Sequence, residues 1–186
     1  MKVSVGVSNR HVHLTEETYA KLFGEIPMTV RNNLKQPFEY ATNSVVSIKS
    51  EYGQIERVRV IGPARKYNQV EILTSDIYEL KVNAPVCKSG DLENAGQITL
   101  IGSSGEVTLE NALIVANRHV HMSPEEADRL GLKEDSVVYL KIENDKSGRI
   151  EANVKITEKA LLEIHLDLDD ANAFRLQNGD EIEMEI

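Results

Sequence analysis

The chain is poor in cysteine, and this limits both its cross-links and its metal chemistry. Cys87 is the only cysteine among 186 residues. One cysteine cannot form an intrachain disulfide, and such sparing use is typical of a protein in a reducing compartment. A cysteine-rich zinc site is excluded as well, so any metal would be bound by histidine and carboxylate side chains.

Long apolar runs and an excess of positive charge are also missing. No segment approaches the roughly 20 apolar residues of a membrane span, and the opening MKVSVGVSNR lacks a long apolar run. The formal net charge of −9 argues against general nucleic-acid binding, which usually needs a basic face. A local cluster of arginine and lysine could still bind an anionic small molecule. We therefore expect a cytoplasmic globular protein that binds neither nucleic acid nor membrane.

Short runs rich in valine and isoleucine fill most of the sequence. KVSVGV, SVVYLKIE, IEANVKIT and EIEMEI are examples, and several alternate apolar with polar residues as half-buried strands do. Turn sequences such as EYGQ, SSGE, ENDKSG and QNGD separate them. Helical patterns are few and short. The pattern predicts a mainly-β chain of two barrels or barrel-like sandwiches with small helices.

The pentapeptide NRHVH occurs twice, starting at Asn9 and at Asn117, and it contains four of the five histidines. The similarity extends further, because VSNRHVHLTEETYAKLFG aligns with VANRHVHMSPEEADRLG. Each copy continues into a residue that favours a helix N-cap, Thr15 or Ser123, and Glu126 completes a capping box in the second copy. A duplicated unit of strand, histidine pair and capped short helix is therefore predicted. Residues 23–43 have no counterpart after the second copy and are interpreted as an insertion or subunit-contact segment.

Each histidine pair has the spacing that places two imidazoles on one face of a strand. His11 and His13 would point the same way, as would His119 and His121. Two such nitrogens suit Zn²⁺ or another first-row metal. One HxH in a strand is often structural, but two copies in a histidine-poor chain favour metal binding. His165, in LLEIHLDLDDANA, would be a third imidazole of a site with an open coordination position, although an isolated strand histidine is more often buried and hydrogen-bonded.

A basic segment, RVRVIGPARKYNQVEIL, places Arg57, Arg59, Arg65 and Lys66 around a Gly-Pro turn, with Glu71 on the next strand. An arginine in a turn can bind phosphate through two parallel hydrogen bonds, which lysine cannot do. A solvated basic surface is an equally good interpretation of these residues alone.

Five segments in order carry a family resemblance: VGVSNRHVHLT, GPARKYNQVEI, KSGDL, ANRHVHMSPEEA and EIHLDLDDANA. Over nearly its whole length the chain resembles the PduL-type phosphotransacylases (phosphate propanoyltransferases). That family transfers a short acyl group, propanoyl or acetyl, between coenzyme A and phosphate, for instance in propanediol degradation, with two zinc ions between two β-barrels. The resemblance implies a homodimer that binds small-molecule substrates.

The resemblance also implies roles for individual residues. The ligands of one zinc, which faces the coenzyme A sulfur, would be His11, His13 and Glu71. The ligands of the second zinc would be His119, His121 and His165. Arg65 would bind phosphate, and Ser89 would lie near it. Positions expected near coenzyme A are Ser8, Arg59 and Asn172.

The implied architecture is two closely associated β-barrels capped by short helices. Barrel A would comprise residues 1–9 and 117–186, and barrel B residues 10–116 with the insertion at about 23–43. Many members of the family carry an N-terminal extension for packaging into a bacterial microcompartment. This chain begins a few residues before Ser8, so a free cytoplasmic role is expected.

Two other classes compete with this interpretation. A bicupin-like metal-dependent dioxygenase or isomerase would use Gly6, His11, His13, Glu17 and Gly24, but the cupin spacing fails by one residue between Gly6 and His11. A non-catalytic metal-binding barrel module would take up metal without releasing coenzyme A. The sequence leaves the acyl chain length open, because acetyl and propanoyl differ by one methylene, which a pocket distinguishes by only ~1–3 kcal/mol.

Overall fold

The computed structural model describes residues 1–186, and it confirms the mainly-β prediction with four short helices. The strands are β1 (Lys2–Ser8), β2 (His11–His13), β3 (Val30–Asn33), β4 (Tyr40–Lys49), β5 (Gln54–Gly62), β6 (Gln69–Glu71), β7 (Val86–Cys87), β8 (Gly96–Ile101), β9 (Glu106–Ala116), β10 (His119–Met122), β11 (Val137–Ile142), β12 (Gly148–Ile156), β13 (Glu163–Asp167) and β14 (Glu181–Glu185). The helices are α1 (Glu16–Phe23), α2 (Asp76–Leu80), α3 (Pro124–Leu130) and α4 (Leu168–Ala173). No helix is both long and apolar enough to cross a membrane.

The chain divides into two compact units. Unit 1 comprises Met1–Asn9 and Asn117–Ile186, and unit 2 comprises Arg10–Ala116. Unit 1 is a closed six-stranded barrel with the strand order β1-β13-β10-β12-β11-β14. Alternating residues of its strands fill the interior, and fully buried examples are Val5, Val120, Val138, Leu140, Val154 and Ile164.

Unit 2 contains a second closed ring of six strands. Its order is β9-β6-β2-β5-β4-β8, and β8 closes the ring by pairing with both β4 and β9. The short strands β3 and β7 are added to β4 and β9 respectively. The core of this barrel includes Val12, Leu14, Leu22, Ile48, Val60 and Leu113. Residues 23–43 span the end of α1, the added strand β3 and the beginning of β4.

The two rings have the same strand order and the same pairing directions. In each ring the histidine strand runs antiparallel to one neighbour, β6 or β13, and parallel to the other, β5 or β12. The strand that precedes each histidine pair, however, belongs to the other unit. β1 leads into β2 but completes the barrel of unit 1, and β9 leads into β10 but completes the barrel of unit 2. The Asn-Arg dipeptide of each NRHVH therefore joins strands of different barrels.

The helix caps predicted from the repeat are present. The Thr15 side chain accepts a hydrogen bond from the backbone N–H of Thr18 at the start of α1. At α3, Ser123 and Glu126 form the reciprocal capping box, with Pro124 in the first turn. Asp167 is the N-cap of α4, and its carboxylate accepts from the backbone N–H of Asp170. These caps satisfy backbone donors that a helix leaves unpaired at its N-terminus, and they fix the chain direction just after each histidine-bearing strand.

Candidate metal sites and their surroundings

The first histidine group forms between β2 and β6. Antiparallel pairing puts His11 directly opposite Glu71. The Nε2 atoms of His11 and His13 are 3.2 Å apart, and Glu71 Oε2 is 3.4 Å from His11 Nε2. All three residues are largely buried. Val12, between the two histidines, is fully buried in the core, as the alternation of a strand requires.

A buried amide orients the carboxylate of this group. Gln69 Nε2 donates to Glu71 Oε1 at 2.6 Å and to Ser89 Oγ at 3.0 Å, and Gln69 Oε1 accepts from the backbone N–H of Gly90 at 2.8 Å. Ser89 Oγ is also 3.4 Å from Glu71 Oε1. With Oε1 held in this way, Oε2 is the oxygen next to His11. The sequence prediction missed Gln69, although its place two residues before Glu71 on a strand puts it on the same face.

The second histidine group forms between β10 and β13 with the same geometry. His119 lies opposite His165, as His11 lies opposite Glu71. The Nε2 atoms of His119 and His121 are 3.1 Å apart, and the rings of His119, His121 and His165 lie with centroids 4.5 to 5.2 Å apart. His119 Nδ1 is 2.9 Å from the backbone carbonyl of Asn117. Because a carbonyl only accepts, Nδ1 carries the proton and Nε2 has the free lone pair.

A buried carboxylate adjoins the second group. Glu163 Oε2 is 3.0 Å from His165 Nε2, and Glu163 is only 3% exposed. β1 leaves room for this pair at Gly6, which lies opposite His165. A Cβ at that position would lie 2.9 Å from the Glu163 carboxyl carbon and 3.0 Å from His165 Cδ2. Any side chain at Gly6 would therefore displace Glu163 or His165.

The donor sets fit divalent metal ions. Within each group the candidate ligand atoms all lie within 4.8 Å of one another. Ligands about 2.0–2.2 Å from a tetrahedral zinc ion are separated by about 3.4 Å, and the closest ligand pairs here are 3.1 to 3.4 Å apart. Three protein ligands, His₂Glu or His₃, are the number that leaves a zinc coordination position open to a substrate.

The arginine of each NRHVH forms a two-point salt bridge with an aspartate near its histidine group. Arg10 makes two hydrogen bonds of 2.7 Å to the carboxylate of Asp76. Arg118 makes the equivalent pair to Asp170, at 2.9 and 2.7 Å. Hydrogen bonding to Asp170, opposed in part by burial, raises the pKa of Arg118. Asp76 and Asp170 each lie five residues after the residue opposite the first histidine. We call each of these two-point arginine–aspartate pairs an arginine fork. Each fork connects the histidine strand to the segment that follows the third candidate ligand.

Arg65 lies in the loop between β5 and β6, next to the end of the strand that carries the first histidine pair. Its backbone N–H donates to the carbonyl of Leu14, the residue after His13. Its guanidinium donates to Glu39 Oε1 at 2.6 Å and approaches the Tyr67 hydroxyl at 3.5 Å. The side chain of Arg65 is partly exposed, so an anion from solvent can reach it. Glu39 shows that this guanidinium binds an oxyanion in the folded protein.

The structure assigns the other predicted residues to different surroundings. Arg59 lies opposite His11 on β5 and donates to the carbonyls of Thr42 and Asn43. Burial, together with the nearby charges of Arg31 and Arg57, lowers the pKa of Arg59.

Ser8 and Asn172 belong to unit 1. Ser8 Oγ is 3.5 Å from the carbonyl of Leu166, and Asn172 lies in α4. Glu17, the ligand that a cupin would need, is paired with Lys21 on an exposed face of α1. The cupin interpretation therefore loses one of its metal ligands.

Comparison with known proteins identifies the family. The model of the family described as phosphate propanoyltransferase matches residues 4–177. The chain belongs to the phosphate propanoyltransferase family. The predicted resemblance and the predicted enzyme class, a phosphate acyltransferase, are both confirmed.

Individual relatives agree with the family model over most of their length. The phosphate propanoyltransferase of Thermotoga maritima is 42% identical over 181 residues, which cover 96% of this chain and 86% of the relative. That of Rhodobacter capsulatus is 41% identical, with coverages of 95% and 83%. That of Salmonella typhimurium is 38% identical, with coverages of 95% and 85%. The similarity thus includes both histidine groups.

Proposed function

We propose that this protein transfers a short acyl group, propanoyl or acetyl, between coenzyme A and inorganic phosphate with two zinc ions per chain. The observation that carries the proposal is the pair of three-ligand groups, each built at the same point of a barrel. The partly exposed Arg65 supports a phosphate substrate. Family membership supports the overall reaction.

The proposed ligands of one zinc are His11, His13 and Glu71, and those of the other are His119, His121 and His165. Bound zinc would favour the thiolate form of a coordinated thiol and would neutralise phosphate charge. The first group faces the coenzyme A sulfur in this proposal, and the second faces the acyl phosphate. Within the chain, Gln69 and the Asn117 carbonyl keep ligand atoms of the two groups turned towards their neighbours.

Arg65 is proposed as the catalytic arginine. A guanidinium can form two parallel hydrogen bonds to phosphate oxygens. In the structure the Arg65 guanidinium is paired with the carboxylate of Glu39. A bound phosphate group would take the place of this carboxylate. Arg65 would then balance the charge that grows on phosphate as the acyl–oxygen bond breaks, which makes phosphate a better leaving group.

The reaction itself needs no acylated protein residue. The thiolate of coenzyme A attacks the acyl carbon of acyl phosphate, a tetrahedral oxyanion forms, and its collapse releases acyl-CoA and phosphate. A free thiol has a pKa of about 8.5, so little thiolate is present at neutral pH without assistance. The protein contributes by orienting both substrates together, which removes much of the entropic barrier of a two-substrate reaction.

Further contacts to the substrates are proposed for four residues. Ser8, Arg59 and Asn172 would contact coenzyme A, and Ser89 would lie near the phosphate. The proposed contact of Arg59 with coenzyme A is supported by its place beside His11 and by the positive charges of Arg31 and Arg57 near it. Ser89 is supported by its hydroxyl, which lies beside the carboxylate of Glu71.

The decisive experiment measures phosphate-dependent release of free thiol from propanoyl-CoA and, on the same sample, the zinc content. We expect two zinc ions per chain and phosphate-dependent thiol release. Arg65→Ala should lower kcat/KM by about 10²–10³, as for loss of one oxyanion-stabilising group. Lys66→Ala, which removes the exposed neighbouring charge, is the matched control and should retain activity. Zinc uptake without phosphate-dependent thiol release would instead indicate a non-catalytic metal-binding module.

Chain-length preference and assembly are separate parts of the proposal. Comparing kcat/KM for acetyl-, propanoyl- and butanoyl-CoA would identify the acyl group, with differences of roughly 10–200-fold per methylene at most. We also propose a homodimer. Sedimentation at several concentrations would give the mass of the assembly, and a monomer throughout would contradict this part alone.

A further inference from the structure

We infer that Gln69 and Glu163 are equivalent positioning residues, each of which holds the third metal ligand of its group in the orientation that the ligand's chemistry needs. The inference rests on the proposed function, because it takes the two groups to be metal sites. It concerns two side chains that are neither metal ligands nor substrate contacts in that proposal.

The strand register makes the two residues equivalent. In the first group His11 lies opposite Glu71 and His13 lies opposite Gln69. In the second group His119 lies opposite His165, and His121 lies opposite Glu163. Each site is therefore a square of four side chains on one face of two antiparallel strands. Three corners are the candidate ligands, and the fourth corner is Gln69 or Glu163.

Both residues contact the third ligand, but with opposite hydrogen-bonding roles. Gln69 donates an amide N–H to Glu71 Oε1 at 2.6 Å. Glu163 Oε2 lies 3.0 Å from His165 Nε2, and the inference gives this oxygen the accepting role. Nε2 of His165 therefore carries the proton, and Nδ1 has the lone pair for a metal. A carboxylate ligand is oriented by a hydrogen-bond donor, whereas an imidazole ligand is oriented by an acceptor. Between the two groups, the residue at the fourth corner therefore differs in the way that the third ligand requires.

Burial argues that these contacts are not incidental. Gln69 is 0% exposed and Glu163 is 3% exposed. A polar or charged side chain removed from water loses free energy unless hydrogen bonds replace the water. The structure supplies those bonds: Gln69 has three hydrogen-bond partners, and Glu163 contacts His165 in the space that Gly6 leaves open.

The surroundings of the two residues differ in one respect. Gln69 also holds Ser89 and Gly90, so the orientation of Glu71 is linked to an exposed loop. Glu163 instead lies against β1 at Gly6. Replacing Gln69 should therefore affect both the metal and the substrates that contact this loop, whereas replacing Glu163 should affect the metal alone.

The test measures zinc stoichiometry and zinc affinity by competition with a chromophoric chelator. Loss of a hydrogen-bond partner of a metal ligand typically weakens binding 10–100-fold. We expect a loss of this size at one of the two sites in Glu163→Ala and at the other in Gln69→Ala. Glu163→Gln retains an accepting oxygen and should stay within about tenfold of the wild type. Gln69→Glu places two carboxylates together and should be at least as weak as Gln69→Ala.

A spectroscopic readout separates orientation from general damage. The chain has only five histidines, so their ¹⁵N signals can be assigned individually. In the metal-free wild type His165 should be protonated at Nε2, and zinc should shift Nδ1 of this ring. Control variants at exposed positions of the same barrels, Glu183→Ala and Gln97→Ala, should leave affinity and tautomers unchanged.

Each outcome decides the inference. Unchanged zinc affinity in both alanine variants, or a His165 protonated at Nδ1 in the metal-free wild type, would overturn it. Equal loss in Glu163→Gln and Glu163→Ala would show that Glu163 is itself a ligand, which also overturns it. If Glu163→Ala does not fold, Glu163→Gln and the wild-type tautomer still decide. A wild type that takes up no zinc contradicts the proposed function rather than this assignment alone.

Discussion

The barrels of unit 1 and unit 2 carry a histidine pair at the same point of the same strand order, yet one pair faces His165 and the other faces Glu71. With zinc bound as proposed, three neutral imidazoles leave the full charge of +2, whereas one carboxylate reduces it to +1. Counted by its ligands alone, the three-imidazole site is the more positive and would suit phosphate oxygens, and the other site would suit a single thiolate. Glu163, 3.0 Å from His165 Nε2, offsets part of this difference. The two groups thus differ at two positions, the residue opposite the first histidine and the residue opposite the second, and the proposed difference in task rests on these two changes.

The largest effect that would test this comparison comes from removing one histidine of each pair. His13→Ala and His121→Ala should each reduce the zinc content by about one ion per chain, and each should lower kcat/KM by roughly 10³ or more, because the proposed reaction uses both sites. Metal analysis and the thiol-release assay on the same samples check this. If one variant keeps substantial activity, the two sites are not both part of the reaction.

A smaller effect is expected from the two arginine forks. Arg10→Ala leaves the carboxylate of Asp76, only 5% exposed, without its arginine and with the Leu73 N–H as a remaining donor, and should lower the free energy of unfolding by about 2–4 kcal/mol. Asp170 is 18% exposed, so Arg118→Ala should lower it by only about 1–2 kcal/mol. Urea denaturation monitored by circular dichroism measures both.

Arg175→Ala is the control for the forks, because its pair with Asp145 is exposed on both sides. It should change stability by less than about 0.5 kcal/mol. A larger loss in Arg118→Ala than in Arg10→Ala would show that burial of the aspartate does not set the difference.

The helix caps should produce a still smaller difference between the repeats. Ser123→Ala removes one half of a reciprocal capping box, and Thr15→Ala removes a single side-chain cap. Each should destabilise its unit by about 1 kcal/mol, with Ser123→Ala the larger loss. The glycine variants at both positions should recover part of the loss, since glycine is tolerated at N-caps. Thermal melts of the four variants provide the measurement.

Cys87 should have the smallest effect. It lies on β7, outside both candidate metal groups, and burial together with the charge of Asp91 raises the pKa of its thiol. A raised pKa means less thiolate at neutral pH, so iodoacetamide should modify Cys87 more slowly than free cysteine, and the rate should rise with pH. Cys87→Ala should retain kcat/KM within about twofold. Complete inactivation by this substitution would contradict a reaction without an acylated cysteine.

Local sequence patterns predicted much of the fold and the site. Alternation identified the strands, the HVH spacing placed two imidazoles on one face, and the caps at Thr15 and Ser123 followed from short-range chemistry. Glu71 entered as a proposed ligand only through the family resemblance, because nothing local to it pairs it with His11. The structure supplies that pairing across the antiparallel strands β2 and β6.

Partners distant in sequence were not predictable. Asp76 and Glu39 are separated from their arginines by 66 and 26 residues, and no periodicity connects them. Gln69 and Glu163 were missed because an isolated polar residue in a strand is usually expected to face solvent. Only the register of β6 and β13 shows that both lie inside a site.

The strand that precedes each histidine pair completes the barrel of the other unit, and this has a consequence for folding during synthesis. β1 precedes the other thirteen strands of residues 1–186, but its partners are β13 and β14, which follow all the others in that order. Contacts between such distant segments carry a large loop-closure entropy and slow the search for the native pairing. During synthesis β1 therefore lacks its native neighbours until β13 and β14 have been translated. We expect the barrel of unit 2, whose strands all precede residue 117, to be the first that can close.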